Sequence, residues 1–280
     1  MFEQPEVVVF DVAAERMRAL RRIVAAALAI GLLVAVGVGL RVWLDDSQRQ
    51  LAAPEILTAE FDHMAFGMGP RGTSLQIWPG NVGISVSGDP PAWVVTELER
   101  AATLFSQATG RSVSVAPPGS ESPANVKVSF VPREQFGVVA TRLGAGADGG
   151  RYVAEHSYCY TASPARFSPG LRERTTMVVI PNDLPPEETA TCVWHEMMHA
   201  LGFRGHPDSR IQSVLGTSSH VTLNDVALLK VLYDPSLLPL TRAEALVVAQ
   251  TLFTGFAARL TGAPDPMQAL LTAPGSVGGR

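Results

Sequence analysis

An α+β domain with a small mixed sheet, preceded by one transmembrane helix, is the fold class this sequence predicts, and three observations predict it. An uncharged apolar run of eighteen residues, Ile23 to Leu40, stands near the N-terminus. Beyond it, short segments of alternating or continuous apolar residues are interleaved with stretches of helical period. The chain is 280 residues long with 46% hydrophobic residues, enough to bury one sizeable core and too apolar for disorder.

The apolar run is long enough to cross a hydrocarbon core of roughly 30 Å at about 1.5 Å per helical residue. Arg16, Arg18, Arg21 and Arg22 precede it and Asp45 and Asp46 follow. This asymmetry places the N-terminus in the cytoplasm and the remainder outside. A retained inner-membrane anchor is expected over a cleaved signal peptide, because the preceding segment is long and no small-x-small site follows. The expected organisation is a cytoplasmic segment 1–22, a single-pass anchor 23–44, a stalk 45–60, a main domain 61–240 in the periplasm or otherwise outside the cytoplasm, and a C-terminal helix with a frayed tail, 241–280. The net charge of -4 offers no basic surplus for a phosphate backbone, which excludes nucleic acid as a partner class. Cys159 and Cys192 both lie in the exported part and are expected to pair as a disulfide, the alternative being two buried free thiols.

Taken in order, Leu75–Val86 alternates around Pro79-Gly80 and predicts two short strands. Val94, Leu98, Ala101, Ala102 and Phe105 recur at helical spacing until Gly110. Residues 112–116 and 126–131 read as strands. Residues 144–151 read as a flexible loop, and 151–161 as the place of an edge strand. The run 175–180 is a buried strand, after which Asn182 or Asp183 is expected to cap a helix whose first turn holds Glu187 and Glu188. That helix should end at Gly202, and two more should span 223–233 and 241–260.

The segment HEMMHALGFRGHPD, residues 195–208, carries the chemistry. Residues four apart share a helix face, so His195 and His199 can offer imidazole nitrogens to one metal ion. Glu196 stands beside them, within reach of a metal-activated water whose proton it can take and hand to a leaving amine. Gly202 permits a sharp turn that brings His206 back as a third ligand. Zn2+ is the ion this donor set suits, and three ligands leave its fourth position open. His63 and His156 lack ligand spacing, and surface or packing roles are expected for them.

These residues resemble the metzincin metallopeptidases, with their H-E-x-x-H-x-x-G-x-x-H pattern. The resemblance implies three histidines on zinc, Glu196 as general base, and a substrate laid extended along an edge strand. The chain departs from the pattern by one additional residue between Gly202 and His206, which a bulge at Arg204-Gly205 would absorb; Asp208 and then His220 are the alternative third ligands. Leu215 stands where metzincins carry the methionine of the turn beneath the metal, and residues 221–235 resemble the final helix of matrix-metalloprotease-like domains. Tyr233 is expected there as a packed aromatic. A family of uncharacterised bacterial exported proteins of metzincin-like appearance is resembled more fully, through Phe66-Gly67, Trp78, Thr109-Gly110, Asn125 to Val128, the two cysteines, Ala200 to Gly202 and Leu232 to Pro235.

The expected function is hydrolysis of peptide bonds in a protein or peptide substrate by a membrane-anchored zinc endopeptidase. The rival is an envelope binding or assembly protein on the same scaffold, with zinc structural or absent.

Overall fold

The computed structural model of the chain describes residues 50–67, 74–117, 124–162, 175–208 and 210–274. The expected cytoplasmic segment and membrane anchor lie outside the described residues. Among the described residues no helix is long and apolar enough to cross a membrane. Of the chain's two compact units, Met1–Gln48 and Arg49–Arg280, the second carries everything that follows.

Its architecture is α+β. Five strands, β1 (Val82–Ser87), β2 (Val113–Val115), β3 (Val126–Val131), β4 (Tyr160–Ala162) and β5 (Thr176–Pro181), form one sheet in the order β2-β1-β3-β5-β4. The first four in that order run parallel, and β4 closes one edge antiparallel to β5, Thr161 opposite Val178. Both faces are covered, as parallel strands require. Val178 and Ile180 enter the main core while Val179, between them, enters a second cluster with Val131, Phe136 and Val153 on the other face.

The main core is closed by α1 (Pro54–Phe61), α2 (Ala92–Thr109), α5 (Pro186–Ala200), α6 (Leu223–Leu232), α7 (Arg242–Leu260) and α8 (Pro266–Leu271). On the opposite face lie α3 (Arg133–Ala140) and α4 (Gly146–His156). Helix α2 ends as expected, at a left-handed Gly110 with φ 68°. Helix α6 opens with a reciprocal cap between Thr222 and Asp225, and α7 with one between Thr241 and Glu244.

Several expectations need correction. The stretch expected as a stalk contains α1, with Leu57 and Phe61 fully buried, and α1 continues into one π-helical turn, Asp62–Phe66. Only the second of the two strands around Pro79-Gly80 forms; at Trp78 the backbone N–H donates to the Tyr233 hydroxyl at 3.4 Å instead of to a neighbouring strand. Residues 144–151 are largely helical. One glycine of this stretch and one of α3 facing it mark close approach: a Cβ on Gly150 would sit 1.8 Å from Thr141 Oγ1, and one on Gly137 would sit 2.9 Å from the Cβ of Ala154. Among the described residues the edge strand spans Tyr160–Ala162. Helix α5 starts behind Pro185 with no side-chain cap, since Asp183 pairs with Arg133 at 3.1 Å. The tail expected to fray holds α8, whose Leu270 is fully buried and whose Leu271 carbonyl accepts from Lys230 Nζ at 3.1 Å.

Candidate metal centre

Helix α5 presents His195 and His199 on one face, and a backbone carbonyl fixes each ring. His195 Nδ1 donates to Val214 O at 2.9 Å, and His199 Nδ1 donates to Phe203 O at 2.9 Å. A carbonyl can only accept, so both Nδ1 atoms carry the proton and both Nε2 atoms keep a free lone pair. The end of α5 is held from two sides: Trp78 Nε1 donates to Ala200 O at 2.8 Å and the Tyr233 hydroxyl to Leu201 O at 2.8 Å. These bonds satisfy carbonyls that a helix terminus leaves open, and they make Tyr233 the packed aromatic expected of it, 5% exposed.

The chain then turns at Gly202, φ 130°, where a Cβ would lie 1.9 Å from Gln76 O, so only glycine fits. Past the turn, Arg204 N and Gly205 N both donate to Met64 O, at 2.7 and 3.2 Å. Two successive amides on one carbonyl form a bulge, and this absorbs the additional residue. His206 returns with Nε2 3.2 Å from His195 Nε2 and 3.4 Å from His199 Nε2. Asp208 and His220 are not brought to this point: Asp208 faces Arg210 at 3.7 Å, and His220 lies in a turn closed by Ser218. His156 stacks on Tyr152 at the surface, ring centres 4.5 Å apart.

A turn beneath the site carries the carbonyl that orients His195. It hangs on the fully buried Asp225 of α6, whose carboxylate accepts from Ser213 Oγ at 2.5 Å, Val214 N at 3.0 Å and Thr222 N at 2.8 Å. Leu215, 1% exposed, occupies the turn without a methionine. Sequence reasoning missed this support, although the T-x-x-D spacing of Thr222 and Asp225 signalled the cap from which it grows.

Burial shapes the electrostatics. It lowers His195 to about 4, helped by the neighbouring His206, and lowers His199 to about 3, helped by His195. Both rings are therefore neutral at pH 7, the form that ligates metal. Burial raises Glu196 to about 7, against the opposing hydroxyl of Thr161. Glu196 is 4% exposed, and its Oε2 has no hydrogen-bond partner. The site opens into a cleft of about 910 Å³ lined by Tyr158, Tyr160 and Thr161 along the β4 edge and by Phe203, Arg204 and Gly216 opposite. The disulfide Cys159–Cys192 ties that edge to α5, one turn before His195.

The donor set fits a metal ion. Three imidazole nitrogens lie within 4.8 Å of one another, two of them with lone pairs facing inward, an arrangement that a cation between them would satisfy. Among the described residues no fourth side chain joins the group.

Fold and site together define an α+β domain with a triple-imidazole cluster beside a buried carboxyl whose Oε2 is unpartnered. Residues 54–250 match the family described as protein of unknown function DUF2927, and the chain belongs to that family. No curated protein matches the chain.

Proposed function

We propose that the chain is a zinc-dependent endopeptidase of metzincin type, anchored in the inner membrane by residues 23–44 with its catalytic domain on the outer side. The observation that carries this reading is the convergence of His195, His199 and His206 within 4.8 Å of one another, beside a Glu196 whose buried Oε2 is unpartnered. A structural zinc site fills four positions with protein side chains, whereas three leave a place for water and substrate. This supports hydrolysis over a purely structural role.

His195, His199 and His206 would hold the zinc, which when bound supplies a Lewis acid that polarises a carbonyl and acidifies water. Glu196 takes the proton of the attacking water and delivers it to the amine nitrogen as the peptide bond breaks. The buried Oε2 of Glu196, with no hydrogen-bond partner of its own, is free to take part in both halves of that transfer. The peptide would lie extended along β4, whose outer edge is unpaired among the described strands, so that main-chain bonding gives affinity without fixing sequence.

Purified full-length chain, incubated with casein and a peptide library, is expected to cleave, and Glu196→Ala to cut about 10²–10⁴-fold more slowly while retaining zinc. A wild-type chain that binds zinc and cleaves none of these substrates would favour the binding-protein alternative.

A further inference from the structure

We infer that Glu60 is a positioning residue for the third metal ligand: its carboxylate, together with the Met64 carbonyl, sets where His206 stands. The inference rests on the metal-centre reading above. Glu60 lies on α1, far from the H-E-x-x-H helix in sequence, and is fully buried. Burying a carboxylate costs several kcal/mol unless it is paired and hydrogen-bonded, and an apolar residue of similar volume fills such a place at less cost. The partners of this carboxylate are therefore informative. Oε2 accepts from Asp208 N at 2.9 Å and Oε1 from Arg210 Nε at 3.1 Å. Both partners lie just beyond His206. Just before His206, Arg204 N and Gly205 N are held by Met64 O. The two flanks of the ligand are thus fastened to one short segment, residues 60–64.

The loop is pressed against that segment as well as bonded to it. A Cβ on Gly205 would lie 3.1 Å from His63 O. Such fastening is needed because His206 has no helix period beneath it and follows a bulge. An unfastened loop residue loses on the order of 1–2 kcal/mol of conformational freedom when metal orders it, and a clamped one has lost it already. Glu60 acts on the ion through His206, so its signature is in metal affinity and ligand geometry rather than in folding alone.

The test uses the full chain in mild detergent, with zinc affinity measured by chelator competition and the visible spectrum recorded with cobalt(II) in place of zinc. Glu60→Ala is expected to weaken zinc binding about 10–100-fold, the range seen when groups supporting a metal ligand are removed, and to alter the cobalt spectrum. Glu60→Gln keeps the shape but can accept only one of the two bonds; it should fall between wild type and Glu60→Ala, and it carries the test if the alanine variant does not fold. Unchanged affinity and spectrum in a folded variant, with wild type binding metal, would overturn the role of Glu60 and leave the metal centre standing. A wild-type chain that takes up no metal would overturn both.

Discussion

His195 and His199 reach the centre by one route and His206 by another. The first two are spaced by the period of a single helix, and each needs one further bond, to Val214 O or Phe203 O, to set its ring. His206 stands on a loop whose course is dictated by residues 60–64, roughly 140 positions earlier in the chain. The contrast teaches that a donor set can be half local and half global. The local half survives as long as α5 and its supporting turn survive, whereas the global half depends on how α1 docks.

The largest effect on the helix-borne half should come from Asp225→Ala. It strands the buried amides of Val214 and Thr222 and the Ser213 hydroxyl, and it removes the α6 cap. About 4 kcal/mol of stability should be lost, since each unsatisfied buried group costs about 1–3 kcal/mol, and the melting temperature should fall by roughly 10 °C in a domain of this size. Thermal unfolding followed by circular dichroism checks this. A shift under about 2 °C would mean that the turn beneath His195 stands without Asp225.

A smaller effect separates the two helix-borne rings from the rest of the molecule by pH. Their folded pKa values, about 4 and about 3, lie below the ordinary 6.5. Between those values the unfolded chain binds more protons than the folded one, so stability rises with pH in that window and is lost as pH falls from 6.5 towards 4. Glu196 acts oppositely. Raised from 4.5 to about 7, it favours the folded chain at the acidic end of that interval and offsets part of the loss. Denaturant unfolding of chelator-treated protein at pH 4.5 and pH 6.5 should therefore show lower stability at pH 4.5. Replacing His195 and His199 together by Gln should flatten or reverse the slope, and an unchanged slope would assign it to other groups.

The same division of local from global explains what the sequence disclosed. Strands β3 and β5, the helix ended by Gly110 and the helices expected over 223–233 and 241–260 rest on neighbours within a few residues, so periodicity and turn chemistry reveal them. The pairing of His195 with His199 is legible for the same reason. The helix over 146–156 was hidden because glycine reads alike whether it loosens a loop or admits a neighbouring backbone, as Gly137 and Gly150 do. Helix α1 was hidden because its eight residues are too few to show a helical period, and its buried Phe61 finds a partner, Phe253, far away on α7. Glu60 left no local signal at all: its partners are about 150 positions away, and nothing in the neighbouring residues marks it as buried.

The proposed state of the site is one zinc ion among three imidazoles with its fourth position open. X-ray absorption at the zinc edge on the full chain tests it most directly. One zinc per chain is expected, with three imidazole nitrogens and one non-protein oxygen at about 2.0–2.1 Å. A shell of four protein ligands, or a chain that holds no zinc, would contradict it.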